Sequence, residues 1–268
     1  RGRKMKLREL AEPVDVTFSM YSAIPMPQIK WNEKNMKYML AFLPLVGVVQ
    51  AALLLGWTAL SGWLAVNGVL FAAVATLIPL LVTGGIHMDG LCDTADALAS
   101  HQTREKKLEI LKDSHTGAFA VIGCCAYLLL TFALWTQPEG AQRWLAAETA
   151  AVGAVLSRAI SAFAVVSIPC AKNSGLVHAF SSAAQKSRVR AAAVVFLLLC
   201  AVLLLWRNPL LGVCVLAGCG LHLIYFYHMI QKQFGGITGD LAGYLVQMTE
   251  LLILLVSVLY MLVGNIVK

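Results

Sequence analysis

The sequence predicts an all-α fold, a polytopic membrane bundle of about seven transmembrane helices with a cytoplasmic N-terminus. The first observation is composition: 59% of the residues are hydrophobic and 13% are charged, and the mean hydropathy is +0.75. Soluble domains contain about 45 to 50% apolar residues, so this class is excluded. The second observation is the length of the apolar runs, most of which match the roughly 17 to 25 residues that cross a bilayer. These runs are 38–60, 63–83, 118–136, 144–168, 190–206, 210–230 and 243–266.

The distribution of Lys and Arg predicts the orientation of the chain. With the N-terminus inside, the inner segments carry seventeen Lys and Arg residues and the outer segments carry three. Since basic loops are retained in the cytoplasm, we expect an integral protein of the cytoplasmic (inner) membrane of a prokaryote. The net charge of +7 then reflects topology and attraction to anionic membrane lipid, and no nucleic-acid partner is expected.

The chain is predicted to form a single integral membrane domain over 1–268, because neither a repeat nor a linker divides it. Three parts of it are expected on the cytoplasmic side: an N-terminal segment 1–37, an acidic region 84–117 and a Gly-rich loop 231–242. The active site is therefore expected to face the cytoplasm. Small residues permit close helix packing, either within one chain or between copies in a homo-oligomer. Examples are Gly212, Gly218 and Gly220.

The acidic region contains three aspartates with helical spacing. Asp89, Asp93 and Asp96 stand at i, i+4 and i+7, so a helix through them places all three carboxylates on one face. Such a cluster repels itself unless it holds a cation, and Asp oxygens with water and phosphate are the usual ligands of Mg²⁺ or Mn²⁺. The alternative is the solvated face of a cytoplasmic helix, although such faces mix charges and this one has no Lys or Arg between Asp89 and Asp96.

The segment 112–117 reads Lys-Asp-Ser-His-Thr-Gly directly before an apolar run. Lys112 as a point charge on phosphate and Asp113 as a further metal ligand would suit phosphoryl transfer. The alternative is a capped helix start, with Asp113 or Ser114 as the N-cap residue.

The segment 234–240 reads Phe-Gly-Gly-Ile-Thr-Gly-Asp and precedes the last apolar run. It is typical of a Gly-rich turn between helices. Asp240 is then either a site residue or a cap at the start of the last helix.

Two ionisable residues, Arg158 and Glu250, lie inside apolar runs. At 1.5 Å per residue each lies roughly 15 Å deep, where an unpaired charge costs on the order of 2.5 kcal/mol or more. We expect the two to pair at the floor of a cytoplasmic substrate cavity. The alternatives are that Arg158 binds a substrate phosphate alone, or that Glu250 pairs elsewhere.

Several segments together resemble the cobalamin-5′-phosphate synthase family, also called adenosylcobinamide-GDP ribazoletransferase. The resemblance covers nearly the whole chain. The most specific part is the block Asp-Gly-x-x-Asp-Thr-x-Asp at 89–96, followed by Lys-Asp-Ser at 112–114. The other matching segments are Ile-Pro-Met-Pro at 24–27, Phe-Leu-Pro-Leu-Val-Gly at 42–47, Thr-Gly-Gly-Ile-His at 83–87, Ser-Arg at 157–158 and Gly-Gly-Ile-Thr-Gly-Asp at 235–240.

This resemblance implies a Mg²⁺-dependent transfer between adenosylcobinamide-GDP and α-ribazole or α-ribazole 5′-phosphate, with release of GMP. It implies Asp89, Asp93 and Asp113 as metal ligands, with Asp96 as a further ligand or as the base. The implied catalytic residues are Asp96, Asp240 and Lys112, and the implied substrate-binding residues are His87, Ser114, His115, Arg158, Lys172, Thr238 and Glu250.

Two other functions are open at this point. A CDP-alcohol phosphatidyltransferase performs the same type of attack, but its Asp-Gly-x-x-Ala-Arg pattern is missing, because Asp93 and Thr94 stand where Ala and Arg would be. A secondary transporter would show broken helices and midplane charges in matching halves. Here the acids cluster at the cytoplasmic end, and the two halves have no matching segments.

Overall fold

The computed structural model describes residues 2–27, 32–172 and 176–266. Within these ranges the chain is helical and contains no β-strand. The helices are α1 Gly2–Tyr21, α2 Glu33–Met36, α3 Met39–Trp63, α4 Gly68–Thr83, α5 Ile86–Ala99, α6 Arg104–Ile110, α7 Ala118–Trp135, α8 Gly140–Ser167, α9 Leu176–Ala183, α10 Lys186–Arg207, α11 Pro209–Gln233 and α12 Gly239–Ile266.

The number of spans agrees with the hydropathy of the sequence. Six helices of the described ranges are long and apolar enough to cross a membrane, namely α3, α7, α8, α10, α11 and α12. The bent pair of α4 and α5 makes a seventh span if it is counted as one. The prediction of an all-α membrane bundle of about seven spans is therefore confirmed.

Helix α8 is the most buried span and contacts α3, α10 and α12. Glycines allow these close contacts. A Cβ added to Gly47 on α3 would lie 2.3 Å from the carbonyl oxygen of Ala154 on α8. One added to Gly153 on α8 would lie 3.0 Å from the side chain of Ile253 on α12. Since lipid supplies no hydrophobic drive between helices, such close backbone contact is a main source of packing energy.

The junction between α4 and α5 turns the chain by 96°. Gly84 and Gly85 adopt φ values of +62° and +82°, a left-handed conformation that glycine adopts without a Cβ penalty. Both of their N–H groups donate to the carbonyl of Leu80 and close the end of α4. Helix α5 then packs against α7 and α12. The predicted helix through Asp89 and Asp96 is thus confirmed.

Two loops are joined by backbone hydrogen bonds. The loop after α8 and the loop after α11 form a single parallel bridge, in which Ala171 N–H donates to the Ile237 carbonyl and Ile237 N–H donates to the Pro169 carbonyl, each at 3.0 Å. A Cβ at Gly236 would lie 2.4 Å from the Pro169 oxygen, so no larger residue fits there. The bridge holds the Gly-rich loop beside the loop that carries Lys172.

Candidate active site

A cavity of about 330 Å³ is surrounded by the ends of α1, α3, α5, α8 and α12, by α6 and α9, and by the joined loops. Side chains from segments far apart in the sequence line it. Six residues that the sequence predicted for the site are in this lining: His87, Asp89, Lys112, Lys172, Thr238 and Asp240.

A glycine contact between α5 and α12 brings two carboxylates to the cavity. A Cβ added to Gly90 would lie 2.5 Å from the Asp240 carbonyl oxygen, so the two backbones touch. Asp89, the neighbour of Gly90, and Asp240, in the first turn of α12, both line the cavity. The Thr238 hydroxyl accepts the N–H of Leu241 at 3.3 Å and so caps α12. Asp240 and Thr238 therefore both line the cavity, and Thr238 in addition caps the helix.

Two lysines contribute positive charge to the same cavity. Lys172 Nζ donates to the Leu108 carbonyl at 2.9 Å, which directs this side chain toward α6. Burial, and after it the ammonium of Lys112, lower the pKa of Lys172. Two neighbouring ammonium groups repel each other, and an anion between them would relieve that repulsion. Lys112 and Lys172 thus place two neighbouring positive charges in the lining of the cavity.

His87 is 4% exposed and its ring stacks on Tyr21, with the ring centroids 6.1 Å apart. Its Nδ1 is buried and has no hydrogen-bond partner among the described residues. Among the lining residues that sequence reasoning missed are two with titratable side chains, Tyr21 and His178. The only available signal was their position, since both belong to basic segments assigned to the same side of the membrane as the acids.

Asp96, predicted as a metal ligand or base, lies outside the cavity lining and caps another helix. Its carboxylate accepts the N–H of Gly117 at 2.7 Å and that of Ala120 at 2.9 Å, at the start of α7. The N-cap residue is Gly117, so the expectation of Asp113 or Ser114 as the cap is wrong. A Cβ at Gly117 would lie 2.6 Å from both Asp96 oxygens. Through these hydrogen bonds Asp96 connects α5 to the segment 112–117, which contains Lys112.

We expect Asp96→Ala to lower the free energy of unfolding by about 1 kcal/mol, the usual loss for a helix cap. Asp96→Asn retains one acceptor oxygen and should lose less. Thermal unfolding of the purified protein measures both, with Asp113→Ala as the control at an exposed position. If Asp96→Ala unfolds at the same temperature as the unaltered protein, the capping role is contradicted.

The structure does not gather the four predicted metal ligands at one point. Asp93 stands one helical turn from Asp89 but is absent from the cavity lining. Asp113 lies on an exposed turn, where its carboxylate bonds to the backbone N–H and to the ring of His115. These bonds, the backbone one more than the ring one, lower the pKa of Asp113. Across the described ranges no three His, Cys, Asp or Glu side chains are close enough together to hold one metal ion. The carboxylates of the cavity are Asp89 and Asp240.

The remaining predicted substrate contacts, Ser114 and His115, are exposed and lie outside the lining of the cavity. They share the turn of Asp113, whose carboxylate is 2.7 Å from His115 Nδ1. This turn lies between Lys112 in the lining and the start of α7. The structure therefore does not place these two side chains at the cavity.

Arg158 and Glu250 form the predicted pair, with Nη1 and Oε1 2.6 Å apart. Gln50 on α3 bridges them: it accepts from Arg158 Nη2 at 2.7 Å and donates to Glu250 at 3.1 Å. Ser157 donates to Glu250 at 3.2 Å. Neither charge is in the lining of the 330 Å³ cavity, whereas Gln50 and Glu250 line a smaller cavity of about 40 Å³. Their partners belong to the protein, so the pair joins α3, α8 and α12.

The family model for cobalamin-5-phosphate synthase matches residues 14–258. The chain belongs to the cobalamin-5-phosphate synthase family. All cavity residues named above lie within the matched range. Membership in this enzyme family of cobalamin synthesis favours neither the CDP-alcohol phosphatidyltransferase nor the transporter.

Three relatives of this chain carry the name adenosylcobinamide-GDP ribazoletransferase. The protein of Lachnoclostridium phytofermentans is 40% identical over 88% of this chain and 89% of its own length. The protein of Clostridium perfringens strain 13 is 32% identical over 88% of this chain and 93% of its own length. The protein of Pseudomonas syringae pv. syringae is 34% identical over 81% of this chain and 86% of its own length. No solved structure matches the chain.

Proposed function

We propose that the chain joins adenosylcobinamide-GDP to α-ribazole or α-ribazole 5′-phosphate, forming adenosylcobalamin or its 5′-phosphate and releasing GMP. The names of the relatives support this reaction. The structural observation that supports it most is that two carboxylates and two lysines from four separate segments line one cavity. This combination suits a reaction between phosphate-bearing substrates.

In this reaction a ribose hydroxyl oxygen of the acceptor attacks the phosphorus of the phosphate bound to cobinamide. The bond from that phosphorus to the bridging oxygen breaks, GMP leaves with the bridging oxygen, and the proton of the hydroxyl is released to water. Lys112 and Lys172 contact the phosphates and balance their charge. His87 lines the same cavity and would contact the acceptor there.

The carboxylates of the cavity fit Mg²⁺. This ion is usually held by one or two protein carboxylates together with water and substrate phosphates, and not by a complete set of protein ligands. Asp89 and Asp240 would supply the carboxylates, so a group of three acids is not required. Bound Mg²⁺ would neutralise charge on the attacked phosphate and on the leaving GMP.

We further propose that the N-terminus and the cavity face the cytoplasm of a prokaryote and that the basic inner segments contact anionic lipid. The excess of seventeen Lys and Arg residues over three supports this orientation. The test is a thiol reagent that cannot cross the membrane, added to closed vesicles of known orientation. A cysteine placed in a basic inner segment should react only when the cytoplasmic side of the membrane faces outward.

Removal of the metal tests the proposed function. We expect purified protein in lipid nanodiscs to release GMP only with both substrates present. EDTA should lower the rate by about a hundredfold or more, and excess Mg²⁺ should restore it. Equal rates with and without EDTA would contradict the metal. If well-folded protein forms no GMP from active substrates, the transferase is contradicted, and CDP-lipid assays come next.

A further inference from the structure

The reaction described above uses the polar residues of the cavity and leaves its apolar wall unexplained. This wall consists of side chains from α3, α6, α8 and α9 and the turn after α6, each less than 9% exposed. Its members are Leu40, Leu43, Leu108, Leu111, Val165 and Phe180. The cavity thus has an apolar part beside its carboxylates and lysines.

The volume of the cavity limits what can enter it. At about 330 Å³ it lies at the low end of the roughly 300 to 1,000 Å³ of pockets that bury drug-sized ligands. α-Ribazole 5′-phosphate is a mononucleotide and belongs to that size class. The corrin ring of adenosylcobinamide-GDP is several times larger, so the cavity cannot enclose it.

The apolar wall also distinguishes between the two bases of the reaction. Guanine carries donors and acceptors along its edge, and the leucine, valine and phenylalanine side chains of the apolar wall cannot pair with them, so burying that edge against this wall is costly. The Ser161 hydroxyl in the lining already donates to the Ala242 carbonyl at 3.2 Å. Dimethylbenzimidazole, the base of α-ribazole, presents methyl groups instead, which leucine and phenylalanine side chains can cover.

On these grounds, and resting on the proposed transferase function, we propose that this cavity is the acceptor site. The base of α-ribazole lies against the apolar wall, and its ribose hydroxyl faces Asp89 and His87. Adenosylcobinamide-GDP enters the cavity only with its pyrophosphate, while the corrin ring and the guanine remain outside.

The test fills the apolar part of the cavity. Leu43 is 3% exposed and lines the cavity, so Leu43→Trp should obstruct the base. We expect the KM for α-ribazole 5′-phosphate to rise about tenfold, while the KM for adenosylcobinamide-GDP changes by less than about threefold. The matched control is Leu53→Trp on the same helix, at a side chain that is 51% exposed. It should leave both KM values unchanged.

The other outcomes overturn the acceptor site. A raised KM for adenosylcobinamide-GDP alone would assign the cavity to the donor. Equal changes, or no change, would show that the apolar wall does not recognise the base. If Leu43→Trp does not fold, Val165→Leu on α8 makes the same test. Failure of the unaltered protein to release GMP contradicts the transferase itself, whereas an active protein with an unchanged acceptor KM in the variant contradicts the acceptor site alone.

Discussion

The substitution Asp89→Asn is expected to lower kcat for GMP release by about a hundredfold or more, as loss of a group that stabilises transition-state charge does. Asp89 is one of two carboxylates among the described residues of the cavity lining, and the amide of Asn keeps the shape of the side chain but loses its charge. Asp240→Asn should act in the same direction. Steady-state GMP release at saturating substrates and Mg²⁺ measures both effects.

The control for this prediction is Asp113→Asn. Asp113 lies on an exposed turn outside the cavity, and an exposed substitution changes free energies by about 0.5 kcal/mol, or roughly twofold in rate. If Asp113→Asn lowers kcat as strongly as Asp89→Asn, the ligand set implied by the sequence resemblance is correct. The assignment to Asp89 and Asp240 would then have to be abandoned.

The second large effect is expected on stability. Arg158→Gln and Glu250→Gln should each lower the free energy of unfolding by about 3 to 5 kcal/mol, because each leaves a buried, unpaired charge. Arg158 is 1% exposed and the Glu250 side chain is 11% exposed. The double variant removes both charges and should lose less than the sum of the single losses. Equilibrium unfolding in detergent, followed by circular dichroism, measures the coupling.

An exposed ion pair of the same chain serves as the comparison. Glu148 and Arg207 are 2.6 Å apart, with side chains 34% and 56% exposed. Glu148→Gln should therefore lower stability by about 1 kcal/mol or less. Additive losses at Arg158 and Glu250 would show that the two charges are stabilised separately, despite their short distance.

Hydropathy was sufficient to predict the all-α membrane fold. A helix that crosses lipid must be apolar over its whole length, so each span can be recognised from one continuous stretch of the sequence. The helix through Asp89, Asp93 and Asp96 followed from local spacing in the same way. The pairing of Arg158 with Glu250 was predicted from their similar depth in the bilayer, because a charge inside the membrane requires a partner and each is the partner available at that depth.

The composition of the site could not be derived in this way. Asp96 and Asp89 lie on one helix, yet Asp96 caps α7 while Asp89 lines the cavity. Asp240 reaches the cavity because α12 touches α5 at Gly90. Residue types and their spacing thus determined the class of protein and the charged groups available to it. The role of each group depends on contacts between helices distant in the chain, because a carboxylate that accepts backbone N–H groups and one that faces a cavity have the same local sequence pattern.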